Sequence, residues 1–548
     1  MFAPLPTPAE MSGWDRAAMG LGLPGLLLME NASREAMHAL EAETGPVRGK
    51  RVLLFMGGGN NGGDAACLAR HLHDAGAETL VLHTRPLRAC RGESAAHVRL
   101  ARRCGVAFAP AAGWPARYRG TVWDAGAEAG EGAAGPHIVV DGLLGTGFSG
   151  TLRPLEMGLV ARINALAGRA FVFALDIPSG LSGLTGRPSP VAVRAHATVT
   201  FEAAKPGLVL PEAAPYTGRL HVRPIGIPAV VRRTHPASFQ MMTEGIGRAL
   251  PVAAPGWHKG TAGAVLIAGG SEGLTGAPHL AARAALRGGA GLVTVAAPEG
   301  LCAEIKAQCP DLMTRPLGEA GAMRWSPALA DALQPWLPRC GALVLGPGLG
   351  REAETAAFVR AVLACPGRPS AVVDADALHA LAACPEALAS LRPDDVLTPH
   401  PGEAATLLHT TPALVQADRF AALAGLQRLA PCVWVLKGAG TLIGSEGRPV
   451  IIAPYAEPNL AVGGSGDVLA GCIGTLLAQT AAQPSEAGES ASRLAACFGV
   501  RLHALAGTLL RGAFPQRGNT ATDIAETLPR ARAEACRRAE EAAEALPL

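Results

Sequence analysis

The chain is 548 residues long, 49% hydrophobic and 17% charged, and its 48 basic against 45 acidic residues leave a formal charge of +3. That length exceeds one ordinary core and implies about two to four domains, and the apolar content excludes a largely disordered protein. The small net charge excludes the basic excess that a phosphate backbone demands, so nucleic acid is not an expected partner.

The opening residues, MFAPLPTPAEMSGWDR, lack a positive region followed by an apolar stretch, so no secretory signal is expected. No uninterrupted apolar run reaches the roughly eighteen residues of a membrane span, which argues against a membrane partner. Twelve cysteines, among them Cys67, Cys90, Cys309 and Cys432, are scattered without a Cys-x-x-Cys pair. Reduced thiols in a cytoplasmic protein are the expectation.

The first clear strand is RVLLFM at 51–56, followed by GGGNNGGD and a helix predicted from about Asp64 to Ala75. Glycine inside regular structure costs about 0.5–1 kcal/mol relative to alanine, so five in eight residues suggest that something approaches the backbone closely. Backbone N–H groups at a helix start attract phosphate or another anion. The stretch matches neither the dinucleotide fingerprint nor the P-loop, and a plain turn capped by Asp64 is the bland alternative. His71 and His73, beside Asp74, lie two residues apart on the predicted helix and point in different directions, which disfavours a shared metal site.

Next come ETLVLH, HIVVDGLLGTG, a helix near 154–167, FVFALDIPSG and HATVTF. Alternation of this kind predicts a parallel sheet covered by helices, with ligands beyond the carboxyl ends of the strands. Asp141, Asp176 and Ser179 all fall at such ends, where their oxygens can converge on a cation and a ligand. Singly, each acid reads equally well as a cap or turn residue. A stretch rich in proline and small residues follows, and a domain junction is expected near residue 235.

The second half supplies its own strands: AGAVLIAGG, GLVTVAAP, ALVLGPGLG, SAVVDADAL, DDVLTPHPGE, CVWVLKGAG and PVIIAP. These predict a second, larger α/β domain. Long helices are predicted at roughly 466–478 and 487–508, and the charged tail 531–548 reads as a solvated terminal helix. GGSGDVLAG at 463–471 is a glycine-rich turn entering an apolar helix. Its amides suit a phosphate while Asp467 faces a reacting oxygen, a pairing that fits phosphoryl transfer to a hydroxyl. The alternative for Asp467 is a helix cap. LKGAGT at 436–441 offers a second loop for nucleotide phosphates or ribose, or a simple β-turn. His400, between two prolines in TPHPGE, reads either as a ligand contact or as structural.

Several separated motifs carry a family resemblance. LLMENASREA (27–36), NNGGDAACLAR, VDGLLGTG, LDIPSGL and KPG (205–207) resemble the epimerase domain of the NAD(P)H-hydrate repair enzymes across roughly residues 10–228. The resemblance implies a Rossmann-like domain that interconverts the R and S forms of hydrated NADH or NADPH. It implies that Asn60, Asn61, Gly62, Gly63 and Asp64 contact substrate, and that Asn61, Asp141 and Ser179 hold a potassium ion. Segment 145–151, with Gly145, Thr146 and Gly147, would lie along the phosphates, and Asp176 would act beside the epimerised carbon. Ala65 departs from the family, which commonly has glycine after the aspartate.

WHKGTAG (257–263), GPGLG (346–350), DADAL (374–378), TPHPGE, LKGAGT and GGSGD together resemble the ribokinase-like dehydratase of the same repair system, across roughly 240–548. The resemblance implies that ADP with magnesium is spent to remove water from the S hydrate, leaving AMP and phosphate. Lys437, Gly438, Ala439, Gly440, Thr441 and Gly466 would meet the nucleotide. Ala277, Gly348, His400 and Asp467 would meet the hydrated cofactor, Asp467 as the catalytic group. Val462 stands where some members have threonine. The expected domains are therefore 1–232 and 238–548, with small-molecule partners and self-association left open. Two rivals remain at this stage. One is a small-molecule kinase with a regulatory N-terminal half, which would leave a stable phosphorylated product. The other is a first half that only binds nucleotide and docks a partner.

Overall fold

The computed structural model of the chain describes residues 1–119, 121–123, 135–148, 150–480 and 489–544. The chain divides into two compact units, Pro4–Gln240 and Met241–Leu548, the second of which also takes in Met1–Ala3.

The first unit holds a seven-stranded sheet. In chain order its strands are Arg51–Met56, Glu78–His83, Ala107–Pro110, Ile138–Gly142, Phe171–Leu175, Ala197–Phe201 and Arg219–Arg223. Their spatial order is third, second, first, fourth, fifth, sixth, seventh, and all neighbours run parallel. Alternate side chains serve opposite faces. Val52, Leu54 and Met56 join one buried cluster with Trp14, Leu40 and Leu68, whereas Leu53 and Phe55 join another with Val160, Ile163 and Trp114. Helices therefore cover both faces, and the strands read as continuous apolar runs. The chain reverses its direction of winding between the first and fourth strands, the place where such sheets open a crevice.

The helix expected from Asp64 starts earlier, at Asn60, and runs to Asp74. Gly62 and Gly63 therefore lie inside its first turns, and packing accounts for both: a Cβ on Gly63 would come within 2.7 Å of Met29 Sδ and 2.9 Å of Ser94 Cβ. A Cβ on Gly62 would come within 2.1 Å of the Gly57 carbonyl oxygen. Ala65 sits in regular helix, fully buried, and its Cβ is accommodated opposite Gly142, where a side chain would meet it at 2.6 Å.

The second unit builds an eleven-stranded sheet. Its parallel strands in chain order are Ala264–Ala268, Leu292–Pro298, Met313–Leu317, Ala342–Leu345, Ala371–Val373, Val396–Leu397 and Val433–Leu436, again arranged third, second, first, fourth, fifth, sixth, seventh. Thr441–Gly444 and Val450–Ala453 extend it antiparallel, and Phe239–Met242 and Phe2–Leu5 complete that edge. Thr243 N–H and its hydroxyl both donate to the Met1 carbonyl, at 3.0 and 2.9 Å, which ties the first residues to this unit.

Helices Ser465–Thr480, Ala491–Leu510 and Ala521–Glu544 pack with Gly276–Gly288 around the main apolar cluster. Ala491–Leu510 is long and apolar enough to cross a membrane by length and composition, and 89% of its most apolar window is buried within the unit as a core helix. The tail helix departs from the solvated reading. Ala531, Ala535 and Ala539 are fully buried at helical spacing, while Glu534 pairs with Arg537 and Arg538 on the outer face. Residues 545–548 of that tail, 487–488 of the predicted 487–508 helix and Ser149 of segment 145–151 lie outside the described residues.

Candidate functional site

In the first unit the carboxyl ends of the first, fourth, fifth and sixth strands surround a cavity of about 640 Å³. Its walls carry Asn60, Asn61, Asp64, Gly145, Thr146, Gly147 and Asp176, together with Lys205 and Asp15, which the sequence reading left without a role. Gly59 caps the helix with no side-chain bond, and a Cβ on Gly59 or Gly147 would enter open space. Those two glycines leave the amides of the helix start open to a ligand.

Asp176 follows the fifth strand with φ of +61°, a left-handed conformation that a non-glycine residue adopts only when its surroundings demand it. Its Oδ1 accepts from Lys205 Nζ at 2.7 Å and its Oδ2 from Thr146 N–H at 3.0 Å. Burial opposes ionisation of Asp176, but the Lys205 ammonium outweighs it and holds the carboxyl below the ordinary range. Lys205, 1% exposed, also donates to Thr200 Oγ1 at 2.8 Å and to the Phe201 carbonyl at 3.3 Å. Asp64 behaves differently. Burial first, then the charges of Asp176 and Asp15, push it well above the usual carboxylate range.

Asn61, Asp141 and Ser179 form one linked group. Asp141 Oδ1 accepts from Ser179 Oγ at 2.6 Å and from Leu143 N–H at 3.2 Å, and its Oδ2 accepts from Ser179 N–H at 2.8 Å. Leu144 N–H donates to Ser179 Oγ at 2.9 Å, and the Leu144 carbonyl accepts from Asn61 Nδ2 at 3.0 Å. Burial pushes Asp141 up to about 6. Asn61 Oδ1 is buried without a hydrogen-bond partner, an acceptor left over beside a carboxylate, a hydroxyl and a carbonyl. This set of hard oxygen donors fits a cation such as potassium.

His71 sits apart from that cavity chemistry. Its Nε2 lies 2.9 Å from Glu30 Oε1, and with Cys67 these residues make a compact potential ligand group. The Arg70 guanidinium already occupies both Glu30 oxygens, at 2.7 and 2.8 Å, so a cation fills the place a metal would take.

The second unit repeats the arrangement with other residues. Asp374 follows its fifth strand and is 1% exposed, and Lys437 follows its seventh. Lys437 Nζ donates to Asp374 Oδ1 at 2.7 Å and lies 3.7 Å from Glu403 Oε2. Burial works against the charged lysine, yet Asp374 and Glu403 keep its pKa above the ordinary value. Glu403 itself is raised, by burial and then by Asp374 among its neighbours. Asp467, in the first turn of helix Ser465–Thr480, is pushed up to about 7 by burial and by the charge of Asp374. A Cβ on Gly466 would lie 3.3 Å from Lys437 Nζ, so that glycine keeps the helix start open beside the ammonium.

The loop 437–441 is tied down from outside by Arg419, which donates to the carbonyls of Leu436, Lys437 and Ala439. Thr441 Oγ1 donates to the Gly438 carbonyl at 2.8 Å. Gly348 and Ala277 meet at the crevice between the first and fourth strands. With φ of +63°, a Cβ on Gly348 would lie 2.5 Å from the Leu274 carbonyl oxygen and 3.1 Å from Ala277 Cβ. His400 caps helix Pro401–Leu407, its Nδ1 accepting from Gly402 N–H at 2.9 Å and Glu403 N–H at 3.3 Å. Its ring remains half exposed. His503, buried behind the Asp467 helix, contacts Ser465 Oγ through Nε2 at 3.0 Å, and burial lowers it to about 4.

Comparison with known proteins places both units. A family model described as NAD(P)H-hydrate dehydratase matches residues 265–530, and one described as YjeF-related protein N-terminus matches residues 25–207. The chain is 39% identical to the bifunctional NAD(P)H-hydrate repair enzyme Nnr of Moorella thermoacetica over 96% of each chain. It is 33% identical to the Escherichia coli enzyme of that name over 94% of this chain and 92% of the other. Among solved structures, the ADP/ATP-dependent NAD(P)H-hydrate dehydratase of Bacillus subtilis, co-crystallized with ATP and magnesium, is 24% identical, covering 54% of this chain and 97% of that one at a TM-score of 0.43.

Proposed function

The chain belongs to the family of bifunctional NAD(P)H-hydrate repair enzymes, and from that premise we propose how its two units divide the repair. The Rossmann-like first unit epimerises hydrated NADH and NADPH, and the ribokinase-like second unit dehydrates the S form. The dehydratase accepts one epimer while damage generates both, so one chain repairs the whole pool.

In the first unit Asp176, ionised beside Lys205, is the proton acceptor at the epimerised carbon. Asn60 to Asp64 and Gly145 to Gly147 bind the dinucleotide around it. Potassium would be held by Asn61, Asp141 and Ser179, supplying the positive charge that a buried Asp141 and an unpartnered Asn61 Oδ1 call for.

In the second unit the nucleotide is ADP with magnesium, held by Lys437 to Thr441 and Gly466. Asp374, Glu403 and Asp467 crowd around one ammonium, an excess of negative charge that a divalent ion would offset. Ala277, Gly348, His400 and Asp467 face the hydrate. Asp467 accepts the proton of the hydrate hydroxyl as a phosphoryl group reaches it, and loss of phosphate together with a proton from the adjacent ring carbon restores the dihydronicotinamide. Residues 1–232 are taken as the epimerase domain and 238–548 as the dehydratase domain.

The observation that carries this reading is Asp467, raised to about 7 at the glycine-rich helix start next to Lys437, a base matched to neutral pH. Acid-hydrated NADH mixed with the protein and ADP should recover dihydronicotinamide absorbance with AMP and phosphate formed in equal amounts. A phosphorylated product that persists would identify a small-molecule kinase instead.

A further inference from the structure

Helix Pro8–Gly20 contributes a wall of the first unit's cavity through Met11, Ser12, Asp15 and Met19. It lies upstream of the family match at 25–207, and neither the comparisons nor the sequence motifs assign it a task. The helix is built to be rigid. Thr7 and Glu10 close a reciprocal cap at its start, and Trp14, 1% exposed, donates from Nε1 to the His235 carbonyl at 2.8 Å. Asp15, the next residue on this anchored helix, lines the cavity.

Asp15, Asp64 and Asp176 thus share one cavity with a single ammonium, that of Lys205. Lys205 spends its donors on Asp176, Thr200 and the Phe201 carbonyl, so Asp176 is the one aspartate it pairs with; of the guanidinium groups on the cavity wall, Arg153 pairs with Glu156, and Arg85 lines it as well. The remaining charges that act on Asp15 are Glu202, which pairs with Arg232, and Arg16 beside it on the helix. We propose that Asp15 is the acid that works opposite Asp176 in epimerisation, an inference that rests on the epimerase reading of this unit.

The chemistry needs such a pair. In a hydrated dihydronicotinamide ring the hydroxyl sits on a carbon bonded to the ring nitrogen. Asp176 takes the hydroxyl proton, the oxygen pair closes a carbon–oxygen double bond, and the carbon–nitrogen bond breaks with its electrons going to nitrogen. Asp15 delivers its proton to that nitrogen. The aldehyde then turns its other face, and the same steps in reverse close the ring with inverted configuration and return both protons. No oxidant or reductant enters.

Asp64 is less suited to the role, since it is buried in the first turns of helix Asn60–Asp74 and burial pushes it well above the usual carboxylate range. Burial, offset by Lys205, brings Asp15 to about 6, where it can both lose and regain one.

The test uses the full-length chain and purified R hydrate. Asp15→Asn should slow conversion to the S form by about 10²-fold or more, while ADP-dependent dehydration of purified S hydrate reports that the rest of the chain is folded. Asp15→Glu should recover at least about tenfold of the loss, because it restores an acid. In the wild type the epimerisation rate should fall as pH rises through about 6, and Asp15→Asn should lose that limb. Conversion by Asp15→Asn within threefold of wild type, or no gain from glutamate, would overturn the assignment. A wild-type chain that dehydrates the S form but never converts R would overturn the epimerase reading and this assignment with it.

Discussion

Each unit has seven parallel strands in the same spatial order, and in each an aspartate just after the fifth strand accepts from a lysine at 2.7 Å. They differ in what the lysine is paired with. In the first unit it holds Asp176, the proposed base, and keeps it ionised well below neutrality. In the second it holds Asp374, and the proposed base, Asp467, is left without an ion pair among the described residues and rises to about 7. The base therefore rests below the ordinary carboxylate range in one site and is raised to about 7 in the other. Hemiaminal opening needs only a modest acceptor, whereas a base for phosphoryl transfer gains from a pKa near the working pH.

The most severe way to break this comparison is to remove the lysine that defines it. Lys205→Met should leave Asp176 buried and uncompensated, abolish epimerisation and cost the first unit about 3–5 kcal/mol, read as a lowered unfolding midpoint. An unchanged midpoint would mean the pair contributes little. Next in size, Asp467→Asn should slow dehydration by about 10²- to 10⁴-fold while nucleotide binding and epimerisation persist. Loss of nucleotide binding as well would assign Asp467 a structural role.

The pH profiles sharpen the contrast. Asp467 accepts a proton only when ionised, so kcat/KM for dehydration should fall about tenfold per unit as pH drops below about 7. Epimerisation should show no acid limb in that range, because Asp176 is already ionised there. Coincident acid limbs for both activities would erase the distinction. The smallest effect is expected from the ion: exchanging potassium for lithium should slow epimerisation several-fold and leave dehydration unchanged, with Asn61→Leu insensitive to the exchange.

Much of this was legible before the fold was known. Strand ends carrying Asp141, Asp176 and Ser179, and the turn before Asp467, marked the sheet edges, because a glycine or acid after an apolar run has few other uses. The partners were not legible. Lys205 lies 29 residues from Asp176 and Lys437 lies 63 from Asp374, so only the sheet order decides which lysine reaches which acid. Asp15 was hidden in a helix whose apolar spacing reads as ordinary packing. The start of helix Asn60–Asp74 was misplaced because glycine propensity argued for a turn, while close packing of Gly62 on Gly57 favoured the helix. His400 read equally as a ligand contact or as structural, and its cap on Pro401–Leu407 needed the backbone geometry to be seen.

The central claim is that two separate sites act in sequence on a free hydrate, and a mixing experiment tests it most directly. Purified R hydrate is given ADP and either Asp176→Asn or Asp467→Asn chains, over times too short for spontaneous epimerisation. Neither variant alone should restore dihydronicotinamide absorbance, and an equimolar mixture of the two should restore it at a rate approaching that of the wild type. A mixture as inactive as each variant alone, with each still performing its remaining half-reaction, would contradict the account.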